Sequence, residues 1–194
     1  MKPITLRFLI PVALASVLVA CAPLAPYGAL RASNTPIPAE PVLYEWNDDG
    51  GPGTVSIHIN RAMQRATYRR GERVIGWSYV ATGRDGFTTP AGTFPISEKI
   101  VDKYSTSYGW IEDGYGNTVN SDAKPSTSVP EGCQYMPAPM PYWMRLTSYG
   151  IGMHAGRIPN PGYPASHGCI RVPYGNASKL FSLTDLGDRV EIVD

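Results

Sequence analysis

Little in this chain is charged, and neither sign dominates. Asp, Glu, Lys and Arg make up 17% of the 194 residues, and the formal net charge is +1. Residues 1–20 hold Lys2 and Arg7 and no acid, so the remainder carries 15 basic against 16 acidic side chains. A domain so near neutrality has no field with which to hold a polyanion, which argues against nucleic acid as a partner. No run of 18 apolar residues occurs, so no membrane-spanning helix is expected. Cysteine and histidine are scarce, three of each. No paired Cys-x-x-Cys is present, which leaves a zinc site only three candidate ligands, His154, His167 and Cys169. Neither a metal nor another cofactor is expected.

Glycine (20), proline (19) and tyrosine (12) are plentiful, and 43% of residues are hydrophobic. That apolar share is enough for a real core. The mixture indicates short strands and many turns in one domain with an appendage.

The appendage is N-terminal. Lys2 and Arg7 precede an apolar stretch, Phe8 to Ala20, that is too short to cross a bilayer. It ends Leu18-Val19-Ala20-Cys21, and small residues before a Cys at this place resemble a bacterial lipobox. Residues 1–20 are therefore expected to be a lipoprotein-type signal peptide, with cleavage before Cys21 and lipidation of its thiol. An ordinary signal peptide with a chance Cys is the plainer alternative. The acyl chains would anchor an exported protein to a membrane, facing the periplasm and cell wall. Ala22 after the Cys leans toward the outer membrane. Five prolines among small residues make 21–41 a tether, and the folded part is expected over 42–194.

Along that domain, Val55, Ile57 and Ile59 alternate with Ser56, His58 and Asn60, a half-buried strand with His58 on its outer side. Met63–Tyr68 and Arg73–Thr82 are expected as strands joined by a turn at 69–72, and Thr93–Val101 as another. Residues 104–141 have weak periodicity and are expected to be a long functional loop or lid. Strands follow at Tyr142–Ser148 and Ile151–His154. A short helix after Pro173 turns Ala177, Leu180 and Phe181 inward, and Val190–Val193 ends the chain as a strand. The fold class is mostly β, as mixed sheets or a sandwich with one or two short helices.

The chemistry concentrates in Met153-His154-Ala155-Gly156 and Pro164-Ala165-Ser166-His167-Gly168-Cys169-Ile170-Arg171. A thiol becomes a nucleophile when a neighbour takes its proton, and imidazole does this near neutral pH. Gly168 permits an unusual backbone angle beside Cys169, and successive N–H groups there can face a developing oxyanion. His154, at the end of a separate strand, is favoured as the base, with His167 as support. A buried structural thiol is the bland alternative for Cys169.

Ser-His-Gly-Cys-Ile-Arg, with the upstream His154, resembles the L,D-transpeptidase catalytic (YkuD-type) domain. Thr88-Thr89-Pro90-Ala91-Gly92-Thr93-Phe94 is similar to the Thr-Pro-x-Gly-x-Phe stretch of that family, and the likeness covers roughly 53–194. It implies a β-rich YkuD-like fold, with Cys169 as nucleophile and His154 as base. The carbonyl of Ala155 or Gly156 would orient the imidazole, and His167, Gly168 and Cys169 would line the oxyanion site. Ser166 would support the His–Cys geometry, and Arg171 would hold the loop or meet a substrate carboxylate. Peptidoglycan stem peptides are the implied partner. The implied reaction is D-Ala release through a Cys thioester and transfer to an amine. The same Cys acting as an L,D-carboxypeptidase, or a non-catalytic wall-binding lipoprotein, is the alternative. Many members of the family have Asn at the position of Arg171, and the stretch between His154 and Cys169 is short for the family. Both leave the acceptor open. The order His-then-Cys disfavours an NlpC/P60 peptidase, and the close spacing disfavours a sortase.

Two features stay open. Cys133 is a stray surface thiol, a site for mixed disulfides, or a disulfide partner of Cys169. Tyr104, Tyr108, Trp110, Tyr115 and Tyr135 either wall a peptide site or pack within their own segment.

Overall fold

A computed structural model describes residues 41–194. The expected signal peptide (1–20), Cys21 and all of the expected tether except residue 41 lie outside the described residues.

The first strands follow the alternation of the sequence. In β2 (Val55–Asn60), Val55, Ile57 and Ile59 are buried, and each intervening side chain is half-exposed. His58 sits on that outer side, its Nδ1 2.7 Å from Glu191 Oε2. With β1 (Tyr44–Trp46), β3 (Arg65–Arg70), β4 (Arg73–Tyr79), β5 (Gly92–Pro95) and β13 (Arg189–Val193), it forms a six-stranded sheet in the order β1-β4-β3-β2-β13-β5. The C-terminal strand β13 runs parallel to β2 and antiparallel to β5, so the chain closes between its own earlier strands.

A second sheet, ordered β12-β11-β10-β6, contains β6 (Glu98–Ile100), β10 (Trp143–Arg145), β11 (Gly152–Ala155) and β12 (Ile170–Val172). Its inner residues Met144, Met153, Ala155, Ile170 and Val172 meet Ile57, Ile59, Tyr68, Val190 and Ile192 of the first sheet in one core. The helix α1 (Tyr174–Leu183) starts directly after Pro173, whose fixed φ of −52° suits a helix entrance. Ala177 and Leu180 reach the core fully buried, and Phe181 packs at its margin. Asn176 Nδ2 donates to the Tyr68 hydroxyl (2.6 Å), which is 2.6 Å from Ser78 Oγ. Three buried polar groups thus tie the helix to β3 and β4 without leaving that hydroxyl unpaired.

Several boundaries differ from expectation. The second strand begins at Arg65 rather than Met63. Gln64 is buried at φ +50° and is taken up by Thr82, whose N–H donates to Gln64 Oε1 at 2.8 Å. The third strand stops at Tyr79. The expected strand 93–101 is two strands in different sheets, because the chain turns a buried corner at Ile96. There the Ile96 N–H bonds to Asp188 and the Ser97 N–H to Arg145. The strand expected over 142–148 shortens to β10, since Thr147 and Gly150 form a turn.

The largest correction concerns 104–141. This segment is not an irregular loop but a third sheet, ordered β8-β7-β9, made of β7 (Tyr104–Asp113), β8 (Thr118–Ala123) and β9 (Cys133–Pro139). Its periodicity is weak for two reasons. Five of the six residues of β8 are exposed, so no buried face selects apolar side chains. Register also slips along β7, where Tyr104 faces Pro139 and Gly109 already faces Pro137. Proline donates no ladder hydrogen bond, so residues 105–108 of β7 bulge away from β9 there. Ser105 Oγ accepts from the N–H groups of Ser107 (3.2 Å) and Tyr108 (3.0 Å) and closes the bulge. Gly109 ends it, and a Cβ there would lie 2.1 Å from Met136 O.

Candidate active site

Two neighbouring strands direct the expected pair into one cavity. In the parallel ladder between β11 and β12, His154 is opposite Arg171 and Met153 opposite Ile170. Side chains two residues apart share one face of a strand. His154 and Arg171 therefore project from the same face, with Cys169 entering on that side just before β12. All three line one cavity of about 620 Å³.

The His154 ring is buried, and its Nδ1 lies 2.9 Å from Ala155 O. A carbonyl only accepts, so Nδ1 carries the proton and donates, which leaves the Nε2 lone pair free to take another. Burial pushes the His154 pKa down to about 4, with the Arg171 charge adding to the fall and the Ala155 bond opposing it. The imidazole is thus neutral at pH 7. Burial pushes the Cys169 thiol up, opposed by the Gly152 N–H and by Arg171 and Arg145. Both shifts favour the uncharged forms of the two groups, and the Cys169 Sγ itself lies 3.7 Å from Gly150 O.

The Cys169 loop is braced from beneath. Ser166 Oγ donates to Cys169 O (2.5 Å) and accepts from the Gly168 N–H (3.0 Å). Ser166 therefore shapes the loop backbone instead of touching the His154 ring. The Gly168 N–H is thus already engaged by Ser166 Oγ. Gly168 has φ +109°, and a Cβ there would meet Ile151 Cδ1 at 2.9 Å, so glycine is needed for both backbone and space. Thr89 adds a brace that spacing alone did not assign. Its buried hydroxyl donates to Gly168 O (2.6 Å) and accepts from the Gly83 N–H (2.9 Å).

Arg171 makes no salt bridge among the described residues, and burial lowers its pKa. Its side-chain stem packs against Gly156, where a Cβ would lie 3.0 Å from Arg171 Cγ. Lys103, Arg145, Arg157 and Arg171 line the cavity together with no carboxylate. Among the described residues, only Arg145 of these four has an acidic partner, Glu98 Oε2 at 3.0 Å. His167 also lines the cavity, but its ring is taken up by neighbours. Its Nε2 lies 2.5 Å from Asp122 Oδ1, and its ring stacks on Tyr108 with centroids 4.1 Å apart. Of the five aromatic residues in the expected lid, Tyr108 and Trp110 line the cavity, whereas Tyr115 is 94% exposed. Cys133 and Cys169 are both free thiols. No three metal-ligating side chains converge among the described residues, so the zinc reading has no ligand set.

The model of the L,D-transpeptidase catalytic domain, YkuD, matches residues 54–192. The chain belongs to the YkuD family. Its fold is similar to an L,D-transpeptidase from Mycobacterium smegmatis (TM-score 0.56, 20% identity, 73% of this chain and 59% of that one). It is similar to one from Stackebrandtia nassauensis (TM-score 0.52, 19% identity, 77% and 59%). A third, solved in complex with imipenem, gives TM-score 0.55 at 21% identity over 72% and 59%. This YkuD chain thus spans about 59% of the length of those three structures. No curated protein matches it.

Proposed function

We propose that the protein is a peptidoglycan L,D-transpeptidase that works through a thioester on Cys169. The observation that carries this reading is the shared face of β11 and β12. On it a neutral, carbonyl-oriented His154 and the Cys169 thiol open into one cavity with unpaired cations and no acid.

The chemistry follows from that arrangement. His154 Nε2 takes the Sγ proton as sulfur attacks the carbonyl of an L-centre next to a terminal D-Ala. Burial of both groups delays charge separation until substrate is present. Backbone N–H groups of the 167–169 turn other than that of Gly168 meet the oxyanion. Collapse of the tetrahedral species breaks the C–N bond, and the His154 imidazolium protonates the departing D-Ala amine. A second amine then attacks the thioester, His154 again takes the proton, and sulfur leaves as the thiol. Arg171 meets a substrate carboxylate in planar, two-pronged fashion. Water in place of the amine makes the same site a carboxypeptidase.

Export and anchoring belong to the same proposal. Residues 1–20 deliver the chain across a membrane, lipidated Cys21 holds it there, and 21–41 give the domain reach toward the wall.

Incubation of the purified protein with tetrapeptide-rich sacculi tests the reading. New cross-linked dimers, exchanged terminal residues or a peptide attached to a protein amine each identify an amine acceptor. Shortened stems alone select the hydrolase. Unchanged muropeptides, with no imipenem adduct on Cys169 by mass spectrometry, would leave only a wall-binding module.

A further inference from the structure

The third sheet forms part of the cavity wall through Ser105–Trp110 and Ser121, yet its hold on the rest of the protein is narrow. At its base, two backbone bonds join the outgoing and returning chain, Met140 N–H to Lys103 O and Tyr142 N–H to Val101 O, both 2.7 Å. Elsewhere, the side-chain hydrogen bonds from 104–139 to other described residues all come from one carboxylate. Asp122 accepts from Arg84 Nη2 at 2.7 Å and pairs with His167 Nε2 at 2.5 Å. Beside it, Tyr108 stacks on His167 at 17° between planes, and Phe87 meets both rings edge-on, at 4.7 Å from His167 and 6.0 Å from Tyr108. Arg84 also lies over the Phe87 ring at 4.7 Å.

We propose that Asp122 and Tyr108 are positioning residues that fasten the three-stranded sheet over the Cys169 loop, with His167 as their common anchor. Three separate pieces of chain meet in this cluster. Arg84 and Phe87 come from the 83–89 loop, which is itself tied to the site because the Arg84 N–H bonds to Ser166 O at 3.0 Å. His167 lies two residues before the nucleophile. Tyr108 and Asp122 come from the bulge of β7 and the end of β8. The bulge described above is what carries Tyr108 out to His167, and β8 contributes little buried surface of its own. With β8 largely exposed, the sheet depends on this charged and aromatic contact for its closed position. A closed sheet gives the cavity a roof that holds an extended peptide and limits access to the sulfur. The His167 side chain, so engaged, acts as an anchor and not as a second proton carrier.

This inference rests on the transpeptidase reading only for its kinetic arm. The test uses the purified chain with Asp122→Ala, Tyr108→Ala and Asp122→Glu. In the two alanine variants, amide exchange over 105–123 should accelerate roughly tenfold while β2 and β13 keep their protection. Alkylation of Cys169 by iodoacetamide, followed by mass spectrometry, should quicken several-fold. KM for a stem tetrapeptide should rise about tenfold, with kcat changing less than about threefold. Asp122→Glu should recover part of the protection. Adding His167→Gln to Asp122→Ala should cost more, because the Tyr108 stack is lost as well, whereas adding it to the Asp122→Ala, Tyr108→Ala double variant should cost nothing more. Unchanged exchange and alkylation in both alanine variants would overturn the proposal. A wild-type protein that turns over no peptide would sink the transpeptidase reading instead, and the exchange and alkylation results would still decide the roof.

Discussion

The six-stranded sheet and the three-stranded sheet solve opposite problems. In the first, one face is dry. Val55, Ile57 and Ile59 of β2 and Val190 and Ile192 of β13 are buried, with polar neighbours between them. In the second, β8 is wet almost throughout, and β7 is pulled out of register beside two prolines. The sheets that share the core carry stability and position the proposed catalytic pair. The outer sheet contributes an enclosure. Positions that matter for folding and positions that matter for turnover should therefore separate by sheet, with the Cys169 loop as the point where they meet.

The sharpest division is at the nucleophile. Cys169→Ala should abolish the imipenem adduct and all transfer to an amine while leaving the melting temperature unchanged, checked by mass spectrometry and calorimetry. His154→Gln comes next, with an expected loss of about 10²–10⁴-fold in acylation rate. Its pH dependence follows from burial. A base with a pKa of about 4 is neutral above that value, so the acid limb of kcat/KM should fall near pH 4 rather than near the usual histidine value of 6.5. The same depression links to folding. The unfolded chain binds the proton more readily between pH 6.5 and 4, so His154 lowers stability progressively as pH falls through that window, by about 3 kcal/mol in all. Denaturant midpoints over pH 4–7 should show this slope in the wild type and lose it in His154→Gln.

Smaller effects test the sheets themselves. Ile57→Ala, at a site 1% exposed, should cost about 2–5 kcal/mol in urea unfolding. Val119→Ala, at a site 59% exposed on β8, should change stability by less than about 0.5 kcal/mol. A large loss from Val119→Ala would mean that the outer sheet is part of the cooperative core and would end the comparison.

The same difference explains what can be read from the chain without coordinates. Alternation is imposed by a buried face, so β2, β13 and the inner side of α1 declare themselves in Val55, Ile57, Ile59, Ala177 and Leu180. No such face acts on β8, and the slip between Tyr104 and Gly109 erases the period of β7, so 104–141 passes for a loop. The proposed catalytic pair stands out in the sequence because Cys169 and His154 are rare residue types near diagnostic glycines. Asp122 and Arg84 do not, since an aspartate 45 residues from His167 and an arginine 38 residues from Asp122 carry no local signal.

The protonated state of Cys169 has a consequence for endurance. Peroxide and disulfide exchange act on thiolates, and they act slowly on a sulfur that still holds its hydrogen. A sulfur that burial biases toward that form is attacked by oxidants more slowly than a permanently ionised one.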